Sequence, residues 1–149
     1  MSKSAEKPPI LTLLSIAAQR EKESMVVALR ARGFDKIGPP EMRLVGELKV
    51  RGPSSIQALA DATGTTKQFC AREVKKLEAK GYVSLEPSPD DKRVTLVVLG
   101  PAGRRFTAAA HDVKVEHDAS IARRLGAANA RALRQLLEEL VASNERAAK

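Results

Sequence analysis

Residues 63–103 read TGTTKQFCAREVKKLEAKGYVSLEPSPDDKRVTLVVLGPAG. Gly64 breaks whatever precedes it. Thr65 or Thr66 then offers a hydroxyl to the orphan N–H groups of the next turn, which predicts a helix from Thr66 to Lys80. Within it Cys70, Val74 and Leu77 fall at i, i+4 and i+7, on one apolar face. Lys67, Gln68, Arg72, Lys75 and Lys76 lie largely off that face. Gly81 follows as a residue able to take positive φ, so the helix ends there. A short basic helix with one buried seam and one donor-rich face suits the width of a DNA major groove.

The chain after Gly81 sharpens this reading. Tyr82, Val83 and Leu85 suit a strand. Pro87, Ser88, Pro89, Asp90 and Asp91 make a turn in which Pro fixes φ and Asp bonds nearby backbone. Residues 94–99 (VTLVVL) are a β-branched run long enough for the return strand. The tip of the resulting hairpin carries Asp91, Lys92 and Arg93, and an Arg there can enter the narrow, electronegative minor groove. Helix plus hairpin is a winged helix-turn-helix.

These residues resemble the MarR-type winged-helix transcriptional regulators. That family's recognition helix closes in Leu-Glu-x-x-Gly, as Leu77, Glu78 and Gly81 do here. It carries Asp-x-Arg at the wing tip, matched by Asp91 and Arg93. A Leu-Thr-x-x-Gly step into the next helix follows, and Leu99 and Gly103 hold its spacing. Gly100 departs from the usual Thr. Gly is an acceptable N-cap at a cost of only a few tenths of a kcal/mol, and Pro101 at the first helical position partly compensates.

The flanking chain fits the same plan. Residues 1–9 are polar and Pro-containing, with the composition of a frayed end. Ile10, Leu14, Ala17, Ala18, Met25 and Leu29 predict a first helix from Ile10 to about Arg32, stopped by Gly33. Phe34 and Ile37 then fall in a loop. Gly38, Pro39 and Pro40 mark a second helix whose buried face is Met42, Val45 and Leu48. Ser54 with Gln57 fits a capping box for a third helix, in which Ile56, Leu59 and Ala60 pack inward. Ser54, Ser55 and that helix start suit phosphate contact. Beyond the wing, Phe106, Ala110, Val113, His117 and Ile121 recur at helical intervals until Gly126. Leu133, Leu136, Leu137, Leu140 and Val141 form the seam of a last helix. The terminal helices hold more apolar surface than a small winged module needs, which points to dimer packing.

Composition limits the function classes. A net charge of +8 and a pI near 9.9 favour a polyanionic partner, although no single segment concentrates the excess. The single cysteine excludes an intrachain disulfide framework and fits a reducing cytoplasm. No apolar run reaches membrane-spanning length, and the N-terminus lacks a signal-peptide core. No nucleophile–base set, Gly-rich phosphate loop or metal-ligand cluster supports an enzyme, and no cofactor is implied. His111 and His117, six apart on a helix, point about 120° apart and cannot share a metal directly. Cys70 invites a redox-sensor reading, but on a buried seam a free Cys behaves as a small hydrophobe.

The expected architecture is therefore mainly α with a small β-hairpin wing. Residues 1–38 form an N-terminal dimerisation helix, 39–100 the winged module and 101–149 the C-terminal dimerisation helices. Base reading falls to Thr66, Lys67, Gln68 and Arg72, with Gln suited to adenine and Lys or Arg to guanine. Thr65, Lys75, Lys76 and Lys92 complete the contact set, the two helix lysines meeting phosphate. Arg93 is assigned to the minor groove. A salt bridge with Asp90 or Asp91 is its alternative, and Asp91 can orient it through charge-assisted bonds. Phe69 either touches a thymine methyl or covers the turn.

The family resemblance implies a homodimeric repressor on a pseudo-palindromic operator with half-sites about one helical turn apart. It also implies release by a small, often aromatic effector bound between the dimer helices and the winged module, near Phe34, Met42 and Arg43. A non-specific architectural DNA binder is the alternative from composition, and a module that has lost DNA binding is a further one. The sequence leaves the operator, the regulated genes and the effector open.

Overall fold

In the computed structural model, residues 7–147 are described. Most of the frayed segment expected over residues 1–9 lies outside them. Along the described chain come α1 (Ile10–Ala31), α2 (Pro39–Arg51), α3 (Ile56–Thr63), α4 (Lys67–Ala79), β1 (Val83–Pro87), β2 (Thr95–Leu99), α5 (Pro101–Leu125) and α6 (Ala127–Ala147). This is the expected mainly α architecture with one antiparallel hairpin. Two compact units divide the chain within α5, Met1–His111 and Asp112–Lys149.

In the first unit, the core is built from the apolar faces that the sequence spacing marks. Val45, Leu48, Leu59, Ala60, Cys70, Val74 and Leu77 are all essentially without solvent contact. Ile37, assigned to a loop, is equally buried. Both α2 and α3 start for a local reason. At α2, the Gly38 N–H donates to Glu41 Oε2 at 2.8 Å, and Pro39 and Pro40 open the helix. At α3 the cap is Ser55, whose Oγ accepts from the Ala58 N–H at 3.1 Å.

The capping box assigned to Ser54 and Gln57 is thereby corrected. Ser54 is instead bridged to β2 as a single antiparallel pair with Val97. Its N–H donates to the Val97 carbonyl at 3.2 Å, and its own carbonyl accepts from the Val97 N–H at 2.8 Å. Its hydroxyl donates to the Gly52 carbonyl at 2.9 Å. With its backbone paired and its hydroxyl committed, Ser54 has no freedom to serve as an N-cap.

The hairpin pairs Val83 with Leu99 through to Pro87 with Thr95. Its base is clamped to α5. The Gly100 N–H donates to the Tyr82 carbonyl at 2.8 Å and the Ala102 N–H to the Gly81 carbonyl at 3.2 Å. A Cβ on Gly100 would stand 2.6 Å from the Gly81 oxygen. The departure from Thr at this position is therefore matched by a backbone approach that no side chain allows. Behind the clamp, Phe106 receives Phe34 edge-on at 5.4 Å and Tyr82 at 6.4 Å between ring centres. Three of the four aromatic residues thus lock the α1–α2 loop and the wing base onto α5.

In the second unit, Gly126 takes φ +83° and separates the end of α5 from α6. Arg134 Nη2 donates to Asp118 Oδ2 at 2.6 Å, which holds the guanidinium above its ordinary pKa. No described residue of α6 is buried, and the seam read from the sequence stays uncovered, with Leu136 62% and Val141 59% exposed. Ile121, Leu133, Leu137 and Val141 line a groove of about 480 Å³. At the far end of the chain, Ile10 and Leu11 of α1 are each 76% exposed.

Candidate nucleic-acid interface

The donor-rich face belongs to α4, which begins one residue after Thr66. The Thr66 hydroxyl accepts from the Phe69 N–H at 3.1 Å, so of the two candidate caps it is Thr66 that acts. Thr65 is occupied otherwise, with its hydroxyl 3.0 Å from that of Thr63. Gly64 takes the left-handed conformation that lets α3 stop at Thr63 and the chain turn before α4 starts at Lys67. Cys70, Val74 and Leu77 turn inward as spaced. Lys67, Gln68, Arg72, Lys75 and Lys76 face solvent.

One residue on the inner side went unread. Glu73 is 6% exposed, three residues from Cys70 and four from Leu77, at the edge of the apolar seam. Its Oε1 lies 2.8 Å from Lys76 Nζ and 3.8 Å from Arg72 Nε. Lys76, assigned to phosphate, therefore already spends its charge on Glu73. Arg72 has its guanidinium carbon 5.3 Å from the centre of the Phe69 ring, within cation–π range. Phe69 is half-buried and also borders a cleft of about 330 Å³ with Pro39, Pro40, Arg43, Leu44, Thr63 and Thr65. It both packs and presents a ring face, although nothing in its position singles out a thymine methyl.

The far end of α4 is anchored through a second buried carboxylate. Lys80 Nζ donates to Glu41 Oε1 at 2.9 Å and to the Lys36 carbonyl at 2.8 Å. Glu41 is 6% exposed and also accepts the α2 cap bond, so one side chain ties the start of α2 to the end of α4. Among the described residues no buried side-chain nitrogen or oxygen lacks a hydrogen-bond partner.

At the wing tip the turn closes through the Ser88 N–H to the Val94 carbonyl at 2.8 Å and the Val94 N–H to the Asp91 carbonyl at 2.9 Å. Asp91 Oδ1 accepts the Arg93 N–H at 3.0 Å and Arg93 Nε at 3.2 Å, and Oδ2 accepts Nη2 at 3.4 Å. The Arg93 backbone N–H, reinforced by its guanidinium, holds the Asp91 carboxyl below the usual range. The Arg93 side chain is nevertheless 92% exposed. Asp91 thus steers an outward-pointing guanidinium without covering it, so the ion pair with Asp91 leaves the Arg93 side chain exposed. Lys92 is exposed beside it.

Of the two serines assigned to phosphate, the half-buried Ser55 spends its hydroxyl on the α3 cap, and its neighbour Ser54 is buried, with its hydroxyl committed to Gly52. Phe34 packs edge-on against Phe106 and Met42 is buried, while Arg43 borders the cleft beside Phe69. Cys70 is fully buried, and burial raises its thiol pKa, which disfavours the reactive thiolate. Among the described residues no group of three or more His, Cys, Asp or Glu side chains could hold a metal ion, and no helix is long and apolar enough to cross a membrane.

Residues 36–94 match the family model described as the MarR family. Known structures share the fold over nearly the whole chain. Transcriptional regulator Tm0710 from Thermotoga maritima is 25% identical with a TM-score of 0.72, over 93% of this chain and 95% of that one. Wild-type apo MarR from E. coli is 20% identical with a TM-score of 0.77, over 91% and 98%. A mutant of MepR from S. aureus, solved bound to an oligodeoxyribonucleotide, is 15% identical with a TM-score of 0.64, over 92% and 99%. No protein of curated function matches the chain.

Proposed function

For a chain that is a MarR-family winged-helix transcriptional regulator, we propose that it binds double-stranded DNA as a homodimer, with α4 in a major groove and Arg93 in the flanking minor groove. The observation that carries this reading is the wing tip. An Arg that is 92% exposed, yet held by three bonds to one Asp, is pre-oriented for a partner outside the chain. A MepR mutant that shares the fold was solved bound to an oligodeoxyribonucleotide, which supports DNA as the partner.

Thr66, Lys67, Gln68 and Arg72 are the base-reading set, with Thr65, Lys75 and Lys92 on the backbone. Ser55 meets phosphate only through the helix start that it caps, and Lys76 contributes less than its charge suggests. The uncovered apolar faces of α1 and α6 supply the dimer contacts, so residues 1–38 and 101–149 flank the winged module as dimerisation segments. Two-fold symmetry then requires a pseudo-palindromic operator. The regulator acts in the cytoplasm as a repressor by occluding a promoter. A small aromatic effector releases it, and the cleft beside Arg43 and Phe69 is one place for such a ligand.

The test is binding of the purified protein to labelled DNA from upstream of its own gene against a scrambled fragment. Wild type and Arg93→Ala are compared at two salt concentrations. Preference for the native fragment, weakened by the substitution, is expected. Equal and steeply salt-dependent binding to both fragments would replace this reading with an architectural DNA binder.

A further inference from the structure

Arg72 is held on two sides, and the way it is held selects what it can read. Its Nε lies 3.8 Å from Glu73 Oε1, an ion pair rather than a hydrogen bond, and its guanidinium carbon lies 5.3 Å from the Phe69 ring centre. Arg72 remains 64% exposed, whereas Glu73 is 8% exposed as a side chain. A guanidinium drawn toward a carboxylate on its Nε side has its two terminal amino groups left over as an outward fork. That fork matches the O6 and N7 acceptors of one guanine. The Phe69 ring restricts the plane in which the fork lies.

Glu73 cannot swing away, since it sits against the apolar seam and also binds Lys76 Nζ at 2.8 Å. The same carboxylate thereby withholds Lys76 from phosphate. The cluster trades sequence-blind attraction for a directed donor pair.

We infer that Phe69 and Glu73 are positioning residues that aim Arg72 at a guanine, and that Glu73 also suppresses non-specific affinity by neutralising Lys76. The inference rests on the DNA-reading proposal above. It adds two residues that carry no donor toward DNA themselves, and it assigns each a separable effect.

The experiment selects preferred sites from random duplex DNA with the wild-type protein. Affinities are then measured for every base at each position of the selected site, across a salt series. The variants are Arg72→Ala, Phe69→Leu, Phe69→Tyr and Glu73→Gln, each first checked for an unchanged melting curve. Arg72→Ala should remove a guanine preference at one position per half-site, by about fivefold to a hundredfold. Phe69→Leu should weaken the same preference about two- to fivefold and leave other positions alone, and Phe69→Tyr, which keeps the ring face, should restore it. Glu73→Gln should weaken that preference as well while steepening the salt dependence by about one phosphate contact per protomer, as Lys76 is released.

The inference falls if Phe69→Leu lowers affinity evenly at all positions, if Tyr fails to rescue, or if Glu73→Gln leaves the salt slope unchanged. A wild-type protein that selects no sequence at all sinks the DNA-reading proposal itself, a different result from a selected site whose profile these variants do not alter.

Discussion

Gly103 sits in the first turn of α5, where the helix meets the base of the wing. A Cβ there would stand 2.2 Å from the Tyr82 carbonyl oxygen, 3.1 Å from Leu99 Cδ2 and 3.2 Å from the Tyr82 carbonyl carbon. Two of the three obstacles are backbone, so Gly103→Ala forces α5 to retreat by about an ångström, an overpacking that costs about 1–3 kcal/mol. The Tyr82 carbonyl also accepts the Gly100 N–H at 2.8 Å, and losing that bond adds about 1 kcal/mol.

Against this stands the better helix propensity of Ala, at most about 1 kcal/mol. The clash wins, with a net loss of about 2 kcal/mol. For a chain of this size that lowers Tm by about 4–8 °C. Gly46 is the control. It lies inside α2 with nothing within 4 Å of its Cβ position. Gly46→Ala should therefore raise Tm by about 1–4 °C through propensity alone. Circular-dichroism melts at equal protomer concentration decide the matter, since the proposed dimerisation would make Tm concentration-dependent. A Gly103→Ala protein that melts at or above wild type would refute the close packing of α5 on the wing base.

Three further outcomes follow from the site. Thr66→Ala should cost about 1 kcal/mol and speed hydrogen exchange at the Phe69 amide, while Thr66→Ser should keep both near wild type; urea melts and exchange rates would show it. The Asp91–Arg93 tie has a lowered folded pKa, so it is present above the ordinary carboxylate value of 3.8 and is lost as pH falls through the lower folded value. An NMR titration of the Arg93 amide should show that midpoint below 3.8, and Asp91→Asn should abolish the transition. Cys70 has a raised folded pKa, so its linkage runs the other way: stability declines as pH climbs past the ordinary thiol range, where only the unfolded thiol ionises freely. A thiol reagent should accordingly label Cys70 far faster in denaturant than in buffer at the same pH.

Much of this was legible from spacing and turn chemistry. Cys70, Val74 and Leu77 fix the inward face of α4 because a helix repeats every 3.6 residues, and Pro87 to Asp91 mark the wing because their backbone preferences leave few other structures open. Ser54 and Gly103 escaped a full reading because their partners are distant in sequence, and Glu73 because its charge hid its burial. Ser54 reads locally as a cap, but Val97 draws it onto β2, and no local signal outweighs two backbone hydrogen bonds to a remote segment. Glu73 stands at helical spacing from Cys70 and Leu77, and that position on the seam was the available clue to its burial. Its charge masked the clue, because a buried carboxylate is tolerated only with partners, here Lys76 and Arg72. Gly103 was legible as a motif position; the reason for it, the Tyr82 carbonyl, lies on another element.

Hydroxyl-radical footprinting on a selected DNA site tests the central claim most directly. Two dimer-related protomers, each with α4 in a major groove and Arg93 in a minor groove, predict two protected patches about one helical turn apart, related by a dyad. Each patch should be flanked by a minor-groove protection that disappears in Arg93→Ala. Uniform protection with no dyad, unchanged by that substitution, would contradict a two-fold regulator that reads DNA through helix and wing.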